Sequence, residues 1–128
     1  METTVIDGVR LSLTSPDPVP SRWIGREEVK TRLKAALMCL ADETPISPSL
    51  IGAPGLGKTT LACNMSYEFD LAVYVQQCTM DIRSEDLVVV PVLSEQKEIV
   101  YRASSLATAV IKGGICVLDE ANRMNEKA

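Results

Sequence analysis

Apolar positions along this chain change their spacing several times, and each change predicts a new element. Residues 1–22 first alternate apolar and polar positions and then become proline-rich, which predicts a short strand or hairpin followed by an extended linker. Apolar residues next recur at helical spacing through Leu40, which predicts an amphipathic helix with one buried face and Gly25 as its cap. Leu50 and Ile51 follow as a short apolar run, which predicts the first strand of the core.

The middle of the chain predicts a helix and then a strand. Residues 59–67 are competent to form a helix, and the apolar run 71–76 predicts a strand buried on both faces. With the strand at Leu50 and Ile51, these elements predict a βαβ unit with a parallel sheet. Ser84 is a possible start of a further helix, which the β-prone residues after it interrupt.

Two β-prone runs around a charged tip predict a hairpin at about 88–101, exposed at its turn. The alternative is that these runs form a strand pair inside the main sheet. Ser104 or Ser105 is the expected cap of a helix that runs to Lys112 and stops at the two glycines after it. Residues 115–118 are all apolar and predict a fully buried strand.

Between the first predicted core strand and the helix at 59–67 lies the pattern G-x-x-x-x-G-K-[ST], the Walker A phosphate-binding loop. Its glycines allow backbone turns that a Cβ would forbid, so successive amide N–H groups can point at a polyphosphate near a helix N-terminus. Lys58 is expected to reach the β- and γ-phosphates, and the Thr59 hydroxyl to hold Mg²⁺. The alternative is a plain glycine turn before a helix. The predicted nucleotide-binding residues of the loop are Gly52, Ala53, Pro54, Gly55, Leu56, Gly57, Lys58, Thr59 and Thr60.

The apolar strand at 115–118 ends in two carboxylates, Asp119 and Glu120. Open α/β sheets bind their ligands at the carboxyl ends of the strands, which is where these side chains would lie. Asp119 is expected to hold Mg²⁺, commonly through water, and Glu120 to accept a proton from the attacking water or to orient it. Carboxylates at a strand end are often merely solvated, but after a Walker A loop this pattern predicts a Walker B motif.

Composition limits the function classes open to the chain. Its 128 residues suffice for one domain with a core, which must be mostly aliphatic because aromatic residues make up only 4%. The net charge of −4, without a basic run, argues against a nucleic-acid surface. The sequence contains no histidine, which excludes His-based acid–base catalysis and the usual His metal sites.

Cysteine usage and the lack of a targeting signal indicate the compartment. Cys39, Cys63, Cys78 and Cys116 form no C-x-x-C pair and have apolar or small neighbours, which predicts reduced, buried thiols. No N-terminal signal is recognisable, and the longest strongly apolar run, 87–93, is too short to span a bilayer. We therefore expect a soluble, cytoplasmic protein that does not act at a membrane.

With both motifs in place, the chain resembles the N-terminal half of a AAA+ ATPase module, in particular the MoxR-type and dynein-related branch. Residues 117–124 are similar to the D-E-x-N-R form of Walker B in that branch, and residues 81–87 resemble the T-x-E-D-L stretch that begins its second helix. The predicted hairpin at 88–101 looks like the helix-2 insert, which in such rings projects toward the central pore. Ile24 and Gly25 belong to an I-G-R-E segment similar to the one near the adenine in AAA+ proteins.

The resemblance implies an α/β fold: a parallel P-loop NTPase sheet flanked by helices, with residues 1–22 as an N-terminal strand and linker and residues 23–128 as a partial AAA+ domain. The family continues past Walker B with a sensor-1 strand, an arginine finger and a helical lid, so we expect the chain to be a fragment of a longer protein. In the family sheet the sensor-1 strand separates the Walker A and Walker B strands. Without it we expect those strands not to pair, and the chain alone to be marginally stable, aggregation-prone or held by other strand pairings.

The function implied by the resemblance is ATP binding and Mg²⁺-dependent hydrolysis by a chaperone-like ATPase that remodels protein clients. The parent is expected to be a homo-hexameric ring with a von Willebrand A-domain partner. Lys58 and Glu120 are the expected catalytic residues, and a neighbouring subunit would supply an arginine finger, which can contribute on the order of 10³–10⁵ in rate. The chain alone should therefore turn over ATP slowly or not at all, and Arg123 is a candidate only for contact between subunits.

Two other functions stay open at this stage. One is a non-catalytic nucleotide-binding or interaction fragment, against which the intact Lys58 and Glu120 speak. The other is a P-loop kinase, which the D-E-A-N-R ending and the lack of a clear acceptor-binding lid disfavour. The loop does not by itself separate ATP from GTP, although the sequence contains no N-K-x-D base-reading motif.

Overall fold

The computed structural model describes residues 1–19, 22–38 and 43–127. The helices and strands within those ranges are β1 Thr3–Ile6, β2 Val9–Ser12, α1 Glu27–Leu37, α2 Lys58–Phe69, β3 Val73–Gln77, β4 Val89–Leu93, β5 Ile99–Ala103, α3 Ser105–Lys112 and β6 Ile115–Asp119. Short 3₁₀ turns occupy Glu85–Leu87 and Ala121–Arg123. This mixture of helices with parallel-paired strands confirms the predicted α/β class and is consistent with a partial P-loop AAA+ fold.

The elements separate into two compact units. Met1–Pro18 and Leu71–Ala128 form the first, which holds all six strands and α3 and is called the strand unit below. Val19–Asp70 forms the second, which holds α1 and α2 and is called the loop unit. The domain boundary between residues 22 and 23 stays a prediction.

In the strand unit, β3 and β6 form a parallel two-stranded sheet whose register runs from Val73 opposite Ile115 to Gln77 opposite Asp119. Because parallel strands end at the same edge, Asp119 lies at the carboxyl end of the sheet, as predicted. Val73 and Tyr74 are fully buried, but the rest of both strands is half-buried or exposed. The prediction of strands buried on both faces is therefore wrong along most of their length, since α3 is the helix that packs on this narrow sheet.

A second sheet of the strand unit has the order β1-β2-β5-β4. Its antiparallel pair β4–β5 confirms the predicted hairpin, and at the tip Ser94 N donates to Glu98 O at 2.8 Å. Strand β5 also runs parallel to β2, with Leu11 opposite Tyr101, so the β1–β2 and β4–β5 hairpins share one sheet. The sequence predicted neither this pairing nor a sheet separate from the main one. Burial explains it, since Leu11 and Ala103 enter the core through this sheet.

No strand precedes the Walker A loop in the described range 43–57, which contains neither helix nor strand. Ile51 is 93% exposed there. The prediction of a first core strand at Leu50 and Ile51, and of a βαβ unit built on it, is therefore wrong for this structure. The apolar run is only two residues long and lies between Pro48 and Pro54, which cannot donate to a strand ladder.

The cap and the buried face of α1 differ from the prediction. Arg26, and not Gly25, is the N-cap, in a left-handed conformation with φ of 41°. Leu33 is the fully buried residue of the helix, whereas Val29 of the same apolar stripe is exposed. The predicted continuation through Leu40 lies outside the described residues.

The other helices follow the prediction closely. The helix α2 begins at Lys58, ends at Phe69 and is closed by Asp70 in a left-handed conformation. Ser104, and not Ser105, caps α3: its Oγ accepts a hydrogen bond from Ala107 N at 3.0 Å and donates one to Leu87 O at 2.5 Å. Ser84 precedes a single 3₁₀ turn because the next residues enter β4.

The described cysteines agree with the predicted reduced thiols. Cys63 and Cys78 are free and buried, Cys116 is free and half-buried, and Cys39 lies outside the described residues. Burial raises the pKa of the Cys116 thiol to about 11, and the neighbouring Cys78 adds to this shift. None of the helices in the described part of the chain has the length and apolar character of a membrane span.

Candidate nucleotide-binding site

The Walker A loop belongs to the loop unit and leads directly into α2. Gly55 and Gly57 both have φ of 79°, a left-handed conformation that a residue with a Cβ adopts only with strain. Gly57 is also the N-cap of α2, and no side chain caps this helix end. The first N–H groups of the helix and the positive end of its dipole can therefore receive an anion.

Lys58 is the first residue of α2 and reaches back over the loop. Its Nζ donates hydrogen bonds to Gly52 O and to Ala53 O, each at 2.9 Å. These bonds hold a positive charge at the beginning of the loop, in a solvent-exposed setting. A phosphate oxygen can replace the carbonyls as acceptor, because a charge-assisted bond between two ions is the stronger one. The loop and its lysine thus fit a polyphosphate.

Trp23 packs on the Walker A loop, although the sequence analysis did not place it in the site. A Cβ added to Gly57 would lie 2.7 Å from Trp23 Cζ3, so the indole ring rests directly against this glycine. The contact brings the segment with Ile24 and Gly25 beside the loop, where the resemblance expects the adenine. The signal in the sequence was available, since Trp23 is the single tryptophan and directly precedes Ile24.

Asn64 joins the same segment to α2. Its side chain is buried, its Oδ1 accepts a hydrogen bond from the main-chain N–H of Trp23, and its Nδ2 donates to Thr60 O at 3.0 Å. Sequence reasoning missed this residue as well. A polar side chain among the apolar positions Leu61 and Met65 of a predicted helix was the signal that could have revealed it.

The Walker B carboxylates lie in the strand unit at the end of β6. Asp119 Oδ2 accepts a hydrogen bond from Gln77 Nε2 at 2.9 Å, and Asp119 O accepts one from Cys78 N at 3.0 Å. Glu120 turns away from the strand with φ of 55°, and its Oε2 lies 3.2 Å from Arg123 Nε. Gln77 was not predicted, although the parallel register that places it opposite Asp119 could have indicated it.

Asp119 has the chemistry of a magnesium ligand. Gln77 fixes the orientation of the half-buried carboxylate, whose oxygens have lone pairs for more than one partner. In the described ranges, no three cysteine or acidic side chains gather into a complete metal cluster. Such a site suits Mg²⁺ in a nucleotide complex, which takes one or two protein ligands and completes its shell with water and phosphate oxygens.

The structure thus groups the predicted site residues in two places. In the loop unit it brings the loop Gly52–Thr59 together with the segment from Trp23 to Gly25. In the strand unit it brings Asp119 together with Gln77. A glycine loop with left-handed turns that opens a helix, followed along the chain by an acidic strand end, is typical of a P-loop nucleotide-binding protein.

Comparison with known families gives the class more narrowly. The family model described as "AAA domain (dynein-related subfamily)" matches residues 49–128. The chain therefore belongs to this family of AAA+ ATPase-type domains. The predicted AAA+ membership is confirmed. No solved structure matches the chain significantly.

The similar curated proteins belong to another AAA+ branch than the predicted MoxR type. The Holliday junction branch migration complex subunit RuvB of Fervidobacterium nodosum is 31% identical over 107 residues, which cover 82% of this chain and 26% of that protein. RuvB of Pseudothermotoga lettingae is 32% identical over 123 residues, which cover 94% of this chain and 30% of that protein. The chain therefore spans less than a third of the length of these relatives.

Proposed function

We propose that this chain carries the nucleotide-binding part of a AAA+ ATPase that binds Mg²⁺·ATP and, in the whole protein, hydrolyses it. One observation carries the proposal. The Walker A loop turns at the left-handed Gly55 and Gly57 and ends on the N-terminus of α2, with the Lys58 ammonium held at the loop. Membership of an ATPase-type family supports the same function.

Each functional residue has one role in this proposal. Lys58 binds the β- and γ-phosphates, and Thr59 and Asp119 are the ligands of Mg²⁺. Bound Mg²⁺ would neutralise phosphate charge. Glu120 accepts the proton of the attacking water or orients it. Glu120 also forms an ion pair with Arg123 in this structure, and a carboxylate has lone pairs for more than one partner.

What the whole protein does with ATP is a separate part of the proposal. The D-E-A-N-R ending and the hairpin β4–β5 favour a MoxR-type ring, homo-hexameric and cytoplasmic, that remodels protein clients with a von Willebrand A-domain partner. The second candidate is work on DNA, which the name of the relatives favours. The net charge of −4 without a basic run speaks against DNA contact through this segment.

Calorimetric titration with Mg²⁺·ATP tests nucleotide binding. We expect saturable binding to the 128-residue chain and none to Lys58→Ala, because the variant loses the phosphate-binding charge. Lys34→Ala is the matched control, since it removes a lysine of α1 that bonds Glu68 and not the loop. Equal binding by Lys58→Ala and the unchanged chain would contradict the proposal.

A synthetic four-way DNA junction separates the two candidates for the downstream work. If the MoxR-type assignment holds, the junction should not be retained by the chain at physiological salt, with or without Mg²⁺·ATP. Retention that is specific for the junction over linear duplex DNA would contradict that assignment and favour the DNA candidate.

A further inference from the structure

The buried side chain of Asn64 anchors the segment that begins at Trp23 to α2, the helix that follows the Walker A loop. Asn64 is 3% exposed, and its Oδ1 accepts a hydrogen bond from the main-chain N–H of Trp23 while its Nδ2 donates to Thr60 O at 3.0 Å. A buried amide is costly unless it is hydrogen-bonded, so these partners account for a polar residue at this position. An apolar side chain of the same size could pack there but could not bind Trp23.

Further contacts fix the rest of the segment. The indole ring lies against Gly57, and its Nε1 donates to Gly25 O at 2.5 Å. Gly25 and Arg26 have φ of 95° and 41°, so the backbone turns sharply before α1 begins. As a result Ile24 is held between two anchored neighbours, and its side chain is 92% exposed. An apolar side chain fixed outward beside a phosphate loop is a suitable surface for the flat face of a base.

We propose that Asn64 is a positioning residue for nucleoside recognition: by holding the Trp23 N–H, it sets where Ile24 and Gly25 meet the base. The inference rests on the proposed function, because it requires that the phosphates bind at the Walker A loop. Phosphate binding itself does not depend on Asn64. Lys58 is held by Gly52 and Ala53, and Asn64 takes no part in those bonds.

The test compares two ligands, Mg²⁺·ATP and Mg²⁺·tripolyphosphate, by calorimetry on the 128-residue chain. The dissociation constant of tripolyphosphate divided by that of ATP measures what the nucleoside adds to binding. Asn64→Leu removes the acceptor at nearly constant volume. Asn64→Asp keeps an oxygen that can accept from Trp23 N–H but cannot donate to Thr60 O. Both variants lose the bond to Thr60, and Asn64→Leu in addition loses the acceptor for Trp23 N–H.

We expect the ratio to fall about tenfold in Asn64→Leu, the loss that corresponds to one unmade hydrogen bond at a buried group. Asn64→Asp should keep a ratio close to that of the unchanged chain, and tripolyphosphate should bind all three proteins alike. Trp23→Ala, which keeps the main-chain N–H that Asn64 holds but removes the ring from Gly57, should lower the same ratio less than Asn64→Leu does. Asn64→Ala, which also removes the acceptor, decides the matter if Asn64→Leu fails to fold.

The outcomes separate the inference from the function on which it rests. An unchanged ratio in a folded Asn64→Leu or Asn64→Ala, or equal losses for both ligands, would overturn the positioning role. Equal affinity of the unchanged chain for ATP and tripolyphosphate would also overturn it, while phosphate binding at the loop would stand. If neither ligand binds the unchanged chain, the proposed function itself is wrong.

Discussion

The Walker A loop keeps its left-handed turns at Gly55 and Gly57 although the described range 43–57 contains no strand, whereas Asp119 reaches its place through the whole β3–β6 ladder. Glycine turns and a helix N-terminus are determined by residues that are close in the sequence, so the loop takes its shape from its own residues. The acidic strand end depends on pairing with a strand about forty residues earlier, from Gln77 opposite Asp119 back to Val73.

This difference predicts how each half of the site fails. Substitutions within or against the loop should remove phosphate binding through local backbone strain. Substitutions at the beginning of the β3–β6 pair should displace Asp119 through the register, although they lie at the opposite end of the strands. The predictions that follow test these two modes of failure.

The largest effect is expected for Gly57→Ala. Both Gly57 and Gly55 have φ of 79°, but an added Cβ meets nothing at Gly55 and lies 2.7 Å from Trp23 at Gly57. We expect Gly55→Ala to lower the free energy of unfolding by about 1–2 kcal/mol through strain alone, and Gly57→Ala to lower it by about 2–4 kcal/mol because the indole must also move. Denaturation followed by Trp23 fluorescence measures both, since this single tryptophan lies in the loop unit. Equal losses would mean that the ring contact is unimportant.

The next effect concerns the beginning of the β3–β6 pair. A Cβ at Gly114 would lie 2.9 Å from Ala72 O, which also accepts a hydrogen bond from Ile115 N at 2.9 Å. We expect Gly114→Ala to destabilise the strand unit by about 1–3 kcal/mol, because a backbone atom has to shift. Far-UV circular dichroism during urea denaturation measures the loss.

Gly113→Ala is the control for this prediction. It has φ of 74°, but an added Cβ meets nothing within 4 Å, so it tests strain without the contact. If Gly114→Ala is as stable as the unchanged chain, the close approach of the two strands does not set the pairing. Interactions between residues close in the sequence would then determine the structure of both units.

A smaller effect is expected for the N-cap of α3, which is a local interaction inside the strand unit. Ser104 caps α3, and we expect Ser104→Ala to cost about 1 kcal/mol because Ala107 N loses its acceptor. Ser105→Ala is the matched control one residue away and should cost less. Urea denaturation of the two variants compares them. The reverse order would show that the cap contributes nothing to this unit.

Local chemistry was readable from the sequence, and long-range pairing was not. The Walker A loop, the helix after it, the cap of α3 and the strand that ends at Asp119 each follow from residues close together in the chain. The parallel pairing of β2 with β5 joins residues about ninety positions apart, and no local pattern selects one strand partner over another. The Leu50–Ile51 run, in which Leu50 is half-buried and Ile51 exposed, shows the converse, since an apolar pair without a ladder forms no strand.

The same distinction explains which site residues were missed. Lys58 and the glycines carry a motif of fixed spacing, so they could be named from the sequence. Gln77 and Asn64 act through partners that only the fold supplies, namely Asp119 and the Trp23 main chain. A buried amide is recognisable in a sequence only when the buried face of its element is already known.

The smallest effect is expected for the ion pairs between α1 and α2. These pairs join residues that are distant in the sequence, whereas the Walker A loop of the same unit is shaped by its own residues. The Glu68 carboxylate lies 2.7 Å from Lys30 Nζ and 2.8 Å from Lys34 Nζ. Hydrogen bonds from Lys30 and then Lys34 lower the pKa of Glu68 from 4.5 to about 2, so folding favours the ionised form. The stabilisation is present above pH 4.5 and is lost as the pH falls toward 2.

We therefore expect the chain to melt at a slightly higher temperature than Glu68→Gln at pH 6, and the difference to shrink steadily between pH 4.5 and pH 2. On the alkaline side, the pKa of Lys30 is raised by the same pair, so the difference should also fall as Lys30 loses its proton. Melting followed by Trp23 fluorescence measures it, with Glu28→Gln as control because the ion pair of Glu28 with Arg32 lies within α1. A difference that stays constant down to pH 2 would show that Glu68 acts through packing, and a large difference at pH 6 would show that the loop unit depends on long-range contacts after all.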